Sequence, residues 1–334
     1  MGVRVGVVGA GSWGTALASV LAANGHDVTI WSRGDEVADL INKRHENRVY
    51  LPGVALPKSL RATTTLSEAL EGTKLVVMVV PSHAMRETAV LAAPTISPDT
   101  IVVSASKGIE DEGGATMFEV LASTLGNRER IGVISGPSFA AEVCAAQPTV
   151  VVAAAPTQDV AEQIQAWFHS TRALRVYSST DVIGVEIGGV VKNIMAIATG
   201  VSDGLGYGHN ARAAIITRGL AEIMRLSEAL GARPETLSGL SGIGDLVLTC
   251  TGDLSRNRQL GLRIGRGEKV EDILAGMRMV AEGVRNTKAV KQLADREGIE
   301  MPIVNAAYRV LYEGLPPSDV LAELFGRSLK PEFR

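Results

Sequence analysis

The sequence predicts an α/β protein: a doubly wound, mostly parallel sheet in the N-terminal half, followed by an all-α C-terminal domain. In the first half, β-branched runs alternate with helix-like segments, a pattern typical of a parallel sheet covered on both faces. After residue 177 these runs stop, and helical segments continue to the end. The 334 residues suit about two domains. We therefore predict domains at residues 1–180 and 181–334, with the boundary near 178–182.

The individual elements follow from the same patterns. The predicted strands are residues 3–8, 28–31, 75–80, 101–104, 131–135, 149–153 and 174–177. The helices predicted among them are residues 15–23, 36–43, 117–125 and 160–168. A long helical region then begins at "STDVIGVEIGG", and the helices predicted after it are residues 212–230, 258–264, 285–296 and 305–312. Glycines and prolines separate these last segments.

Composition limits the classes of function. Hydrophobic residues make up 46% of the chain and charged residues 21%, an ordinary globular balance. The net charge of −3 and the lack of a long Lys/Arg run argue against a nucleic-acid partner. Cys144 and Cys250 form no C-x-x-C motif, which fits a reduced, cytoplasmic protein. No metal-binding motif occurs, so we expect no metal.

The N-terminus shows a strand pattern rather than a basic stretch followed by an apolar segment, so we expect no signal peptide. No apolar run approaches the roughly 20 residues that span a bilayer. We therefore expect a cytoplasmic protein without membrane insertion.

A glycine fingerprint follows the first predicted strand. "VGVVGAGSWG" places Gly9, Gly11 and Gly14 at G-x-G-x-x-G spacing, directly before a helix. The first glycine permits the tight turn, the second lets backbone N–H groups reach a pyrophosphate, and the third lets helix and strand pack closely. The first domain is therefore predicted to be a Rossmann-like, dinucleotide-binding domain. The alternative is a glycine-rich turn that only packs tightly.

The end of the second strand bears on the choice of cofactor. An NAD-only site usually places Asp or Glu there to hold the ribose 2′-hydroxyl, whereas "DVTIWSR" has Ser32 and Arg33. Arg33 suits a 2′-phosphate, so we expect NADP or NAD, with NADPH accepted. A solvated loop arginine is the alternative.

A second glycine-rich turn, "GVISGPSFAAEV", resembles the nucleophile elbow of hydrolases except for its last glycine. A hydrolase would need a histidine base for Ser138, and His169 and His209 are candidates only by elimination. We favour the interpretation that Ser138 caps the following helix and helps its N–H groups to hold an anion.

Lys192 is the one lysine in the apolar segment "VEIGGVVKNIMAIATG". Its neighbours on the same helical face carry no charge, and an unpaired ammonium in a core is costly. Either an anion visits it or its pKa is displaced. A buried ion pair with Glu186 or Asp245 is the alternative without a catalytic role.

Several stretches together resemble one family, the bacterial-type NAD(P)-dependent glycerol-3-phosphate dehydrogenases. They are "GAGSWGTALA", "NRVYLPG" at 47–53, "SASKGIE" at 104–110, "SGPSFAAEV" at 135–143, "GGVVKNIMAIATGVSDGLGYGHNARAAIITRGLAEI" at 188–223, "GDLVLTCTGDLSRNRQLG" at 244–261 and "VAEGVRNTKAV" at 280–290. The resemblance implies reversible hydride transfer between glycerol 3-phosphate and dihydroxyacetone phosphate, which supplies phospholipid synthesis. Lys192 would be the general acid and base.

The resemblance also implies a site, in which Lys192, Lys107 and Asp245 are the catalytic residues. The cofactor-binding residues would be Gly9, Gly11, Ser12, Trp13, Gly14, Arg33, Tyr50, Lys107, Ala140, Arg256, Val280 and Glu282. The substrate-binding residues would be Lys107, Gly136, Ser138, Lys192, Asp245, Ser255, Arg256 and Asn257, with residues 255–257 as a phosphate clamp. A homodimer through the helical domain is a further expectation.

Simpler roles stay open for several of these residues. Lys107 could be a solvated loop lysine, and Asp245 could cap a helix. Residues 255–257 could form a plain capping motif, and Glu282 could be a solvated surface residue.

Two other functions stay open from the residues alone. One is a two-domain 3-hydroxyacid dehydrogenase, since a carboxylate would also suit Arg256. The other is a nucleotide-binding sensor without catalysis, which would have no use for a buried proton acceptor such as Lys192. Fold-level analogy does not decide between them.

Overall fold

The computed structural model describes residues 2–111, 113–171, 173–277, 281–329 and 331–332. Strands β1 to β10 are Arg4–Val8, Asp27–Trp31, Glu46–Asn47, Leu51–Ala55, Arg61–Thr63, Leu75–Met78, Ile101–Ser104, Ile131–Ser135, Thr149–Ala154 and Leu174–Ser179. Helices α1 to α7 are Ser12–Ala23, Asp35–Arg44, Leu66–Leu70, Met85–Ala92, Met117–Leu125, Ala140–Cys144 and Gln158–Phe168. Helices α8 to α16 are Val182–Gly204, His209–Ala229, Pro234–Leu237, Asp245–Thr251, Arg256–Gly265, Val270–Ala275, Glu282–Arg296, Pro302–Tyr312 and Pro317–Phe325.

The N-terminal half is built on one eight-stranded sheet in the order β10-β9-β8-β7-β6-β1-β2-β5. Its described strand pairs are parallel except β8 with β9, which is antiparallel. The central strands β6, β7 and β8 are buried along their whole length, as expected with helices on both faces. The predicted fold class, a mostly parallel sheet followed by helices, is confirmed.

Some elements were not predicted. Strands β3 and β5 have two and three residues, too short to show a period, and β4 is largely exposed. Helices α3 and α4 were missed as well. The sheet ends at Ser179 and α8 begins at Val182. The division into domains at residue 180 stays a prediction.

The sheet topology gathers four loops at one edge. Because β1, β6, β7 and β8 run parallel, their carboxyl ends lie side by side. The loops that leave them contain Gly9, Ser82, Lys107 and Gly136. Ligands of open α/β sheets bind outside this edge.

Helix α8 is the central element of the C-terminal half and packs against α9, α11, α12 and α14. Two glycines allow α8 and α12 to approach backbone to backbone. A Cβ on Gly200 would lie 2.1 Å from the carbonyl oxygen of Arg258, and one on Gly261 would lie 2.1 Å from that of Ile197.

In the part of the chain that the structure describes, α8 is also the one helix long and apolar enough to cross a membrane. The expectation that no apolar segment reaches that length was therefore wrong. Of its most apolar 18-residue window, 89% is buried inside the protein, as in the core helices of many proteins.

Candidate active site

The glycine fingerprint forms a turn that fits a dinucleotide. Gly9 has φ +117°, and a Cβ there would lie 2.7 Å from the carbonyl oxygen of Val79. A Cβ on Gly14 would lie 1.9 Å from the carbonyl oxygen of Gly9, so both glycines are required by the chain itself. A Cβ on Gly11 would meet nothing within 4 Å. The second glycine therefore borders open space at the N-terminus of α1, where a pyrophosphate would lie.

Asn47 attaches a neighbouring segment to this turn. Its fully buried amide donates to the carbonyl oxygen of Ala10 at 2.9 Å and to Oγ1 of Thr15 at 2.8 Å, and its Oδ1 accepts from the N–H of Tyr50. Tyr50 is thereby held near the turn. The sequence analysis missed Asn47, although it opens the "NRVYLPG" stretch.

Other predicted cofactor residues lie around the same turn. Ser12 and Trp13 open α1, and the buried indole Nε1 of Trp13 has no hydrogen-bond partner within the described residues. Ala140 opens α6, which packs against α1. Arg33 is exposed in the loop after β2, which leaves both of its predicted roles open. Val280 lies outside the described residues.

Lys192, Lys107 and Asp245 form one cluster, in which Lys192 and Asp245 are buried and Lys107 is partly exposed. Lys192, in the middle of α8, donates to Oδ1 of Asp245 and, at 2.9 Å, to Oγ1 of Thr249. Lys107, in the loop after β7, donates to the other Asp245 oxygen at 2.6 Å and to the carbonyl oxygen of Gly136 at 3.3 Å. Because each oxygen of Asp245 binds a different lysine, this one carboxylate lies between two ammonium groups. Asp245 itself is fully buried. The three residues predicted as catalytic are therefore brought together.

The contacts around the cluster show which of the two predicted ion pairs of Lys192 is present. The predicted ion pair of Lys192 with Asp245 is present, whereas the one with Glu186 is not, because Oε1 of Glu186 accepts from the N–H of Phe118. Thr249 was missed, although it lies four residues after Asp245 on α11 and so shares its helical face.

Burial lowers the pKa of Lys192 to about 7; the Asp245 charge opposes this shift, and the Lys107 charge adds to it. The neighbouring Cys250 thiol stays protonated, since burial raises its pKa to about 12. The proton of the Lys192 ammonium is therefore exchangeable near neutral pH.

The two glycines before Lys192 make the cluster sterically feasible. A Cβ on Gly188 would lie 2.3 Å from the carbonyl oxygen of Ser241, in the turn before α11. A Cβ on Gly189 would lie 2.7 Å from Oγ of Ser135, at the end of β8, and 3.7 Å from Cδ of Lys107. Glycine at both positions lets α8 approach the residues around Asp245 and Lys107.

The turn after β8 differs from the expectation for Ser138. The N-cap of α6 is Phe139, and the Ser138 hydroxyl donates to the carbonyl oxygen of Gly136 at 3.0 Å. The expectation that Ser138 caps this helix was therefore wrong. His169 and His209 are exposed, and neither is hydrogen-bonded to Ser138 in the described structure.

Residues 255–257 open α12 and face α8 and α14. Ser255 is the N-cap and accepts from the N–H of Arg258 at 3.3 Å, so its capping role is present. Asn257 is buried; it donates to Oδ1 of Asn193 and accepts from the N–H of Gly283, both at 3.0 Å. Arg256 is exposed. Asn193, which follows Lys192 in sequence, was also missed.

Glu282 opens α14 and connects it to the loop after β6. Its Oε2 accepts from the Ser82 hydroxyl at 3.0 Å, and burial raises its pKa. The alternative of a solvated surface glutamate was therefore wrong. Within the described residues, no group of three or more His, Cys, Asp and Glu side chains could hold a metal ion.

Comparison with known proteins identifies the family. The sequence pattern of the NAD-dependent glycerol-3-phosphate dehydrogenase N-terminus matches residues 4–161, and that of its C-terminus matches residues 181–322. The chain belongs to this family. This chain is 53% identical over 331 residues to the glycerol-3-phosphate dehydrogenase (NAD(P)+) of Nitratidesulfovibrio vulgaris. The alignment covers 99% of this chain and 100% of the relative.

Further relatives agree. The glycerol-3-phosphate dehydrogenase (NAD(P)+) of Syntrophotalea carbinolica is 50% identical over 333 residues, with 99% of this chain and 100% of the relative covered. The crystal structure of glycerol-3-phosphate dehydrogenase from Coxiella burnetii has a TM-score of 0.93 at 43% identity, covering 98% of this chain and 99% of that one. The predicted family, the NAD(P)-dependent oxidoreductase activity and the NAD or NADP cofactor are confirmed, and the hydrolase alternative was wrong.

Proposed function

We propose that Lys192 is the general acid and base with which this enzyme interconverts dihydroxyacetone phosphate and glycerol 3-phosphate. The observation that supports this role is the burial of its ammonium against Asp245 and Thr249, next to Lys107. Reduction of a ketone leaves an alkoxide that needs a proton, and oxidation of an alcohol needs a base. A lysine whose pKa is lowered to about 7 exchanges a proton in both directions near neutral pH.

The other residues of the cluster have supporting roles in this proposal. Asp245 holds the Lys192 ammonium in position and keeps its pKa from falling further. Lys107 adds a positive charge that favours an anionic substrate and opposes the Asp245 effect on Lys192. When bound, the reduced nicotinamide would supply a hydride, that is one proton with two electrons, to the carbonyl carbon of the substrate.

The substrate phosphate is proposed to lie at the start of α12. Arg256 offers a guanidinium there, which pairs with phosphate in two parallel hydrogen bonds. Ser255 accepts a helix-capping bond yet keeps its own hydroxyl hydrogen, and the Asn257 amide has a second N–H. Both can therefore donate to the phosphate without giving up the contacts described above. Gly136 and Ser138 are proposed as further substrate contacts.

The cofactor is proposed to lie along the glycine turn, with its pyrophosphate beside Gly11. Ser12, Trp13, Tyr50, Ala140 and Glu282 would contact it from α1, the segment after Asn47, α6 and α14. Arg33 would meet a 2′-phosphate, so NADPH should be accepted as well as NADH.

Three wider expectations accompany this proposal. We expect a cytoplasmic enzyme without membrane insertion or a nucleic-acid partner, a homodimer through the helical domain, and a product used in phospholipid synthesis.

The experiment is the initial rate of NADPH and NADH oxidation with dihydroxyacetone phosphate, for the parent and for Lys192→Ala. The variant should lose roughly 10²- to 10⁴-fold in kcat while it keeps its cofactor affinity. Lys58→Ala, at an exposed lysine, is the control and should match the parent. A folded, NADPH-binding parent without turnover would refute the substrate, and a fully active Lys192→Ala would refute the role of Lys192. The ratio of the two cofactor rates tests the Arg33 interpretation.

A further inference from the structure

We propose that Asn286 is a positioning residue: from α14, it holds the main chain of the Lys107 loop, defined as residues 105–110, so that Lys107 faces the Lys192–Asp245 pair. This inference rests on the proposed function, because it assigns to Asn286 control over a charge that acts on Lys192.

The Lys107 loop leaves the sheet but packs into the helical half. It follows β7, a central strand of the sheet. Ile109 nevertheless is 2% exposed and belongs to the apolar core formed around α8 and α14, with Val190 and Val290. The position of Lys107 therefore depends on α14 as well as on the strand before it.

Asn286 makes the polar contact at this junction. It is fully buried on α14, and its Nδ2 donates to the carbonyl oxygen of Lys107 at 3.1 Å. The next residue, Gly108, is wedged between two side chains. A Cβ there would lie 2.2 Å from Cβ of Ser82 and 3.3 Å from Oδ1 of Asn286, so the loop has little room to move.

The other half of the Asn286 amide points to a specific use for this side chain. Its Oδ1 is buried without a hydrogen-bond partner within the described residues. An unsatisfied buried carbonyl destabilises a fold, so an apolar residue would be the more stable choice if packing were the only requirement. What asparagine provides at this position is the Nδ2 donor, which binds the carbonyl oxygen of Lys107.

Movement of Lys107 would change the charge that faces Lys192. The titratable groups beside the Lys192 ammonium are Asp245 and Cys250 on α11 and Lys107 in its loop. The Cys250 thiol stays neutral, and Asp245 is held on its own helix. Displacement of the Lys107 ammonium removes a positive charge that disfavours protonation of Lys192, so the pKa of Lys192 should rise.

The test compares Asn286→Leu and Asn286→Ala with Thr287→Val. The leucine has the same branching and number of side-chain heavy atoms as asparagine and removes the donor, while the alanine covers the case in which the larger leucine does not fit. Thr287 is the matched control, because this neighbouring buried hydroxyl donates only to the carbonyl oxygen of Gly283, within α14. The measurement is the pH profile of kcat/KM for dihydroxyacetone phosphate, with the thermal melting of each variant.

Both Asn286 variants should show a break in the profile that is raised by about one pH unit, which corresponds to a tenfold change in the protonation equilibrium of Lys192. The Thr287→Val profile should keep the parental break. Variants that melt cooperatively and keep the parental profile would overturn the inference, since Ile109 alone would then hold the loop.

A titration of ¹³C-labelled lysine side chains by NMR reports the same pKa without turnover. It separates the two proposals. A raised Lys192 pKa in the Asn286 variants, together with a parent enzyme that does not reduce dihydroxyacetone phosphate, would refute the proposed function and support the positioning role. An unchanged Lys192 pKa in the Asn286 variants, together with an active parent enzyme, would refute only the positioning role.

Discussion

Replacing Asp245 by asparagine should shift the proton equilibrium of Lys192 without removing its hydrogen-bond acceptor. Asp245 is fully buried and is the negative partner of both Lys192 and Lys107. In Asp245→Asn, the buried Lys192 ammonium and the partly exposed Lys107 ammonium would face each other with no charge between them. The neutral form of Lys192 should then be strongly favoured.

The expected size follows from the geometry. Two unit charges about 4 Å apart interact by about 4 kcal/mol at the effective dielectric constant of roughly 20 that suits protein sites. At about 1.4 kcal/mol per pKa unit, this loss lowers the pKa of Lys192 by about 3 units. From a starting pKa of about 7, the protonated fraction at neutral pH falls from about one half to about 10⁻³. The reduction rate should therefore fall roughly 500-fold.

The assay is the pH profile of kcat/KM for dihydroxyacetone phosphate reduction. In the parent the rate should fall as the pH rises through about 7, because Lys192 loses the proton that it donates. In Asp245→Asn this fall should begin below about pH 5, so that lowering the pH restores much of the activity.

Asp253→Asn is the control, since this carboxylate is 90% exposed in its pair with Arg258 and should leave the profile unchanged. A break that stays near 7 in Asp245→Asn, with a uniformly lower rate, would refute the electrostatic reasoning.

Three further predictions concern the cofactor turn and a buried carboxyl group. Gly11→Ala should fold like the parent but bind NADPH at least tenfold more weakly, because its Cβ enters space left for the pyrophosphate; titration of the cofactor measures this. Gly14→Ala should instead lower the melting temperature, since its Cβ overlaps the carbonyl oxygen of Gly9, and an unchanged melt would contradict this steric argument. Burial raises the pKa of Glu222, which accepts from the N–H of Ile303, to about 7. The folded state therefore binds the extra proton between the unfolded pKa of about 4.3 and about 7, and the free energy of unfolding falls as the pH rises through that window. In denaturant unfolding, the free energy of unfolding of Glu222→Gln minus that of the parent should rise by at most about 1.4 kcal/mol per pH unit in this window. A difference between the two free energies that does not change with pH would refute the raised pKa.

Features carried by contiguous residues were predictable from the sequence. The alternation of apolar strands and helices predicted the sheet, and the glycine spacing after β1 predicted the dinucleotide turn. Short or mostly exposed strands such as β3, β4 and β5 carry no usable period. The membrane-crossing length of helix α8 was missed because Glu186 and Lys192 interrupt its apolar run, although both are buried in the folded protein.

The candidate site was predictable in part. Lys192 was recognisable because a single charge in an apolar helix needs an explanation, and Gly188 and Gly189 beside it mark a close approach. The capping role of Ser138 and the solvated alternative for Glu282 were wrong, because capping and solvent exposure depend on neighbours from other elements.

The sequence by itself determined the fold class, the cofactor class and the importance of one buried lysine, since hydrophobic periodicity and motif spacing act over a few residues. Only the tertiary structure decided how the charges are arranged. Asp245 lies 53 residues from Lys192 and 138 from Lys107, yet it binds both, and Asn286 reaches Lys107 across 179 residues. Contacts between residues so far apart follow from the parallel sheet edge meeting the helical half, which no local pattern encodes.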